Sequence, residues 1–215
     1  MKGKLIVLEG PDGSGTTTHS NLLAKNLKKS GYKVLLTAEP TDGPIGRFIR
    51  NQLKKNKIES PSALQLLFCA DRAWHLEKVI KPALAAGKTV ISDRYVISTL
   101  VYGEALGLDP EWLLKINTPF VEPDVLFVAL PPLRFCLERI RKREQLDIFE
   151  NTNFQKKIYD LYEKITVEDP LVHMIDTSGE VNKVAGNVFE KVSVTGTSCP
   201  GLSQYPGHDV PVTEI

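Results

Sequence analysis

Three short stretches carry residue types suited to holding phosphate groups and a planar ring. In "LEGPDGSGTTTHS", Leu8 to Ser20, Gly10, Gly15 and Thr17 take the spacing of a phosphate-binding loop, while Thr16 stands where that pattern has lysine. Glycines let the backbone curl so that successive N–H groups point into a concavity, and a following helix adds the positive end of its dipole. Thr17 can offer a hydroxyl to Mg²⁺, and what Thr16 removes is a full positive charge near the terminal phosphates. The plain alternative is a glycine-rich turn opening an ordinary helix with Ser and Thr caps. In the second stretch, "LLFCADRAWH", Phe68 and Arg72 are four apart and share one helix face, so an aromatic plate and a planar hydrogen-bonding fork can approach one base together. In the third, Asp93-Arg94-Tyr95 offers a carboxylate for a metal and a guanidinium for a phosphate. Taken singly, the second reads more readily as a core phenylalanine beside a surface arginine, and the third as a structural ion pair.

These residues need a scaffold that brings them together. Continuous apolar runs rich in β-branched residues predict strands at 4–9, 33–37, 89–93, 124–130 and 171–176, each covered on both faces. Helical patterns fall near 15–30, 43–55, 61–87, 110–118, 132–143, 151–168 and 180–193. Alternation of this kind implies a five-stranded parallel sheet flanked by helices, with ligands beyond the carboxyl ends of the strands. Glu9-Gly10, Glu39-Pro40 and Asp93-Arg94 each follow a predicted strand, so three strand ends converge on one crevice.

The chain has 215 residues, enough for one sizeable domain, and 27 basic against 26 acidic residues give a net charge of +1. That balance offers no global pull toward nucleic acid or a membrane, so any anion site is local. Cys69, Cys136 and Cys199 are odd in number and far apart, and read as reduced thiols in a cytoplasmic protein. The early apolar run "LIVL" is too short for a signal peptide or a membrane span. Residues 195–215, rich in Gly, Pro, Ser and Thr, read as a coil-like tail behind a domain of residues 1–194.

In this order the motifs resemble the thymidylate kinase family over Lys4 to about Val192. The resemblance implies a three-layer α/β/α P-loop NTPase fold, transfer of the ATP γ-phosphoryl to dTMP, a Mg²⁺ cofactor and a homodimer. It implies that Gly10, Pro11, Asp12, Gly13, Ser14, Gly15, Thr16, Thr17, Thr18 and Thr177 bind ATP, and that Thr17 and Asp93 organise the metal. Phe68 would stack on thymine, Arg72 would bond its edge, and Asp12 would meet the deoxyribose 3′-hydroxyl. Arg94 would hold the acceptor phosphate, with Glu39, Arg47, Ser98 and Tyr102 completing the acceptor side. "RIRKREQLDIFE" resembles the family's arginine-rich lid, about 139–151, in which Arg139 and Arg143 would join Asp12, Asp93 and Arg94 in catalysis.

Two positions depart from that pattern. Thr16 replaces the loop lysine, and Ala38 stands where many bacterial-type members have an arginine aimed at the acceptor phosphate. Arg47 and Arg50 are candidates to supply the missing charge on the acceptor side, and Lys142 or Arg143 on the donor side. A rival reading keeps the cradle and base pocket in a non-catalytic nucleotide-binding protein. A third, a kinase acting on the sugar's 5′-hydroxyl, would need Glu39 as its base.

Overall fold

The structure, a computed structural model, describes residues 3–55, 59–142, 151–169 and 171–194. Five parallel strands form one sheet: β1 (Leu5–Glu9), β2 (Val34–Ala38), β3 (Thr89–Asp93), β4 (Val125–Ala129) and β5 (Val172–Ile175), in the order β2-β3-β1-β4-β5. Nine α-helices are described: α1 (Thr16–Lys29), α2 (Pro44–Leu53), α3 (Pro61–His75), α4 (Lys81–Ala85), α5 (Val96–Ala105), α6 (Pro110–Asn117), α7 (Leu133–Arg141), α8 (Thr152–Glu168) and α9 (Val181–Val194). The strands fall within a residue or two of the apolar runs that predict them.

Alternation within β1 sets up the layers, because successive side chains point to opposite faces of a sheet. Leu5 and Val7 enter a core shared with Ile49, Val96, Leu100, Leu113 and Tyr162. Ile6 and Leu8 enter a second core with Leu23, Leu27, Phe127, Val184 and Val188, beneath α1 and α9. The side chains of Leu5 to Leu8 are all fully buried, so no polar alternation appears across these four positions. After β1 the chain runs to β2 at one edge, whereas after β3 it runs to β4 on the other side of β1. The two exits diverge and open a crevice beyond the carboxyl ends of β1 and β3.

Two features differ from the sequence reading. Helix α5 has no counterpart in the periodic pattern, because eight of its ten residues are buried and it presents no polar face. It lies packed against α3, α6 and α8. The long pattern over 61–87 is divided: Leu76–Ile80 forms a π-helical stretch between α3 and α4. The predicted tail at 195–215, Cys199, and residues 143–150 of the predicted lid, including Arg143, lie outside the described residues.

Candidate active site

The loop from Gly10 to Gly15 joins β1 to α1. At Gly13, with φ 75°, an added Cβ would lie 2.4 Å from the Cys136 carbonyl oxygen, and at Gly10, with φ 153°, 2.4 Å from that of Ala129. The curl therefore depends on residues without side chains at both positions. Pro11 accepts from the Ser14 N–H at 3.1 Å, closing the turn. Thr16 is buried at the first helical position, and Thr17 and Thr18 are exposed. Arg139 on α7 fastens the loop from outside, donating to the Gly13 carbonyl at 3.1 Å and the Thr177 carbonyl at 2.8 Å. Thr177 completes this clasp by donating its hydroxyl to the Ser14 carbonyl at 2.5 Å. Arg141 and Lys142, at the end of α7, are exposed.

Beyond β3, the Thr17 hydroxyl donates to Asp93 Oδ2 at 2.5 Å. Asp93 Oδ1 is buried and has no hydrogen-bond partner among the described residues. A buried carboxylate oxygen beside a hydroxyl is a hard donor set that fits Mg²⁺, which commonly takes one or two carboxylates and completes its shell with water and substrate phosphates. No group of three or more His, Cys, Asp or Glu side chains able to hold a metal occurs among the described residues. Asp93 and Thr17 line a cavity of about 280 Å³ with Ser20, Ala38, Asp42 and Arg50.

A second cavity, about 140 Å³, is lined by Asp12, Glu39, Phe68, Arg72, Arg94, Ser98 and Tyr102, together with Pro40, Leu53, Tyr95 and Thr99. Every acceptor-side residue expected from the sequence is in that lining except Arg47. Arg47 is exposed, donates to the Asp42 carbonyl at 2.7 Å, and borders neither cavity. The cavities adjoin: Ala38 and Asp93 line one, and their chain neighbours Glu39 and Arg94 line the other.

Arg94 is the one non-glycine residue with a positive φ, 72°, among the described residues. Its guanidinium donates to Asp12 Oδ1 at 2.6 Å, the Gly10 carbonyl at 2.9 Å and Ser98 Oγ at 3.1 Å. Such a conformation persists only where surrounding contacts over-determine it. Asp12 also accepts from Tyr102 Oη at 2.7 Å and Gln155 Nε2 at 3.1 Å, so loop, α5 and α8 meet on one carboxylate.

Behind Arg94, fully buried Glu9 accepts the backbone N–H groups of Tyr95 at 2.8 Å and Ser98 at 3.2 Å, capping α5 from the end of β1. The hydroxyls of Ser98 and Tyr162 also donate to it. Burial pushes the Glu9 carboxyl above its ordinary value, against the lowering effect of these hydrogen bonds and of Arg94. His19, on α1 near Gly15, is held below its ordinary value by burial and by Arg139.

Arg72 is 1% exposed and heavily committed. Its Nε donates to Glu39 at 2.9 Å, Nη1 to Asn117 Oδ1 at 2.5 Å, and Nη2 to the Tyr95 carbonyl and Thr99 Oγ1 at 2.8 Å each. One Nη1 hydrogen remains for a ligand. Glu39 is held on its other oxygen by His75 Nδ1 at 2.9 Å, and His75 Nε2 meets Thr37 Oγ1 at 2.7 Å. The supporting residues Asp71, His75, Asn117, Gln155 and Tyr162 are missing from the set drawn from sequence, whereas Glu9 is expected from it only as a strand-end group at the crevice. Each supporting residue acts on a cavity-lining residue, or for Asp71 on Thr41 beside the cavities, from an element distant in the chain, so local spacing carries no trace of it.

Compared with known proteins, the chain matches the family model described as "Thymidylate kinase" over residues 8–188. The chain belongs to the thymidylate kinase family. A relative in Thermococcus kodakarensis, named "Probable thymidylate kinase", is 42% identical over 193 residues, covering 86% of this chain and 94% of its own. One of the same name in Pyrococcus horikoshii is 38% identical over 198 residues, covering 89% and 97%. A "Thymidylate kinase" of Desulfotalea psychrophila is 34% identical over 193 residues, covering 88% and 94%. The family match therefore spans the phosphate loop, both cavities and Thr177.

Proposed function

We propose that this protein transfers the γ-phosphoryl of ATP to dTMP, giving dTDP for dTTP synthesis. The observation that carries this reading is the meeting of the two cavities at Asp93 and Arg94. A planar ring beside Phe68 and the remaining Arg72 donor sends its attached phosphate toward Arg94, while the loop from Gly10 to Thr18 cradles the donor's phosphates. Asp12 and Tyr102 bracket the sugar, and the Tyr102 ring leaves little room for a 2′-hydroxyl. Thr17 and Asp93 hold Mg²⁺, which when bound offsets charge on the donor phosphates. The chain's own part is positioning and charge, with no covalent intermediate. Thr177 and Arg139 fix the outer wall of the loop on the adenine side. Arg143 is assigned to the closing lid by family likeness alone.

Glu39 is engaged on both oxygens, by Arg72 and by His75, an arrangement that suits scaffolding. The chain works as a homodimer in the cytoplasm on this reading. Phe48 and Leu66, each 49% exposed on α2 and α3, offer an apolar face for a second copy. No described helix is long and apolar enough to cross a membrane.

The test is a coupled assay of ADP release with ATP and Mg²⁺ across dTMP, dUMP, dGMP, dCMP and dAMP, run beside Thr16→Lys. Turnover of dTMP by the unmodified protein is the expected result. No turnover until lysine is restored would favour the non-catalytic binding protein instead.

A further inference from the structure

Arg94 lines the acceptor-side cavity with most of its guanidinium already engaged. Nη1 donates to the Gly10 carbonyl at 2.9 Å and to Ser98 Oγ at 3.1 Å, and Nη2 donates to Asp12 Oδ1 at 2.6 Å. Nε–H and one Nη2–H have no partner among the described residues, and two such donors grip a phosphate as a fork. The Nη1 bonds set the direction of that fork, and both run to groups placed by the end of β1. Gly10 follows Glu9 in the chain. Ser98 Oγ, which accepts from Arg94, passes its own hydrogen to Glu9 Oε2 at 2.5 Å, and Tyr162 Oη donates to the same oxygen at 3.2 Å.

Glu9 also holds the Arg94 backbone. The φ of 72° is fixed by the Arg94 N–H on the Leu8 carbonyl at 2.9 Å and by Ser92 Oγ donating to the Arg94 carbonyl at 2.7 Å. The next N–H along, that of Tyr95, lies on Glu9 Oε1 at 2.8 Å. With the Ser98 N–H on Oε1 as well, Glu9 accepts from four donors, the full complement of an ionised carboxylate. Burial raises the Glu9 carboxyl, and the Arg94 charge is among the influences that draw it back down. Glu9 is fully buried and lines neither the acceptor-side nor the metal-side cavity.

We infer that Glu9 is a positioning residue for phosphoryl transfer: through Ser98 and the Tyr95 backbone it aims Arg94 at the acceptor's phosphate without touching the acceptor. This inference rests on the kinase reading above.

Isothermal titration of the full chain with dTMP and with thymidine, without ATP, tests it. Glu9→Gln keeps one oxygen for the Tyr95 and Ser98 N–H groups but turns a nitrogen toward Ser98 Oγ, so it severs the link to Arg94 while sparing the cap of α5. It is expected to lower dTMP affinity about tenfold, the scale on which members of one hydrogen-bond network couple, and to leave thymidine unchanged. Ser98→Ala cuts the same link from the other side, with the same split between the two ligands, and carries the test should Glu9→Gln unfold. The double variant is expected to lose no more than the larger single loss, because both substitutions remove one link. Equal losses for both ligands would mean that Glu9 only caps α5, and unchanged affinities or additive losses would also overturn the inference. Failure of the unmodified protein to bind dTMP would instead remove the kinase reading itself, and Glu9's assignment with it.

Discussion

Thr17 on the first turn of α1 donates its hydroxyl to Asp93 Oδ2, at the end of β3, over 2.5 Å. The bond joins the phosphate loop to the strand that also delivers Arg94. It leaves Asp93 Oδ1 as a buried acceptor without a protein partner among the described residues. Removing that acceptor's charge should act on metal use before fold. Asp93→Asn is expected to lower kcat by about 10²–10³-fold, the usual scale for losing one preorganised electrostatic group. Half-saturation should move to higher Mg²⁺ in a titration at fixed ATP. An unaltered Mg²⁺ dependence would assign Asp93 a purely structural role.

Arg72 is a buried charge that makes four hydrogen bonds beside the site. Truncation to alanine leaves Glu39, 6% exposed, with the His75 imidazole as its remaining side-chain partner and strips a donor from Asn117. Breaking a buried pair from one side costs about 3–5 kcal/mol. Urea unfolding of Arg72→Ala should show a loss of that size, together with loss of dTMP binding. A loss under about 1 kcal/mol, the range of surface pairs, would contradict the pairing described.

Glu9 makes stability depend on pH in a defined direction. In the folded protein its carboxyl keeps a proton above its ordinary value of 4.5, because burial disfavours the charge. Above pH 4.5 and up to the raised value, the native state therefore binds more protons than the unfolded chain, and stability falls as pH rises. Glu9→Gln lacks this contribution. Its stability relative to the unmodified protein should be lowest below pH 4.5 and should improve as pH rises through that window. Urea midpoints collected across that range check the slope, and a difference that stays constant with pH would refute it.

Much of the scaffold is readable in the chain because buried parallel strands cannot alternate. Leu5 to Leu8 meet two cores, and the run of four apolar residues announces this. The same burial hides α5, since "VISTLVYGEA" is enclosed on nearly all sides and resembles a strand as much as a helix. The cavity-lining set is legible where residues lie close in sequence, as with Phe68 and Arg72. Their anchors are not: Asn117 reaches Arg72 across 45 positions, and Gln155 reaches Asp12 across 143. Arg47 and Arg50 look equivalent as letters one turn apart. Only the path of the 40–42 loop, gripped by Asp71, separates them.

One edge of α3 carries Asp71, Arg72 and His75, which hold Thr41, Glu39 and, through Thr41, the perch of Arg50. The Glu39 carboxylate and the 40–42 loop therefore hang from a single beam. Tilting that beam would shift the Arg72 side of one cavity and the 40–42 loop bordering the other together, so the shapes of the two cavities are mechanically coupled. A lineage changing one of these attachments at the C-terminal end of α3 would have to adjust the other in step, and substitutions there should come in compensating pairs.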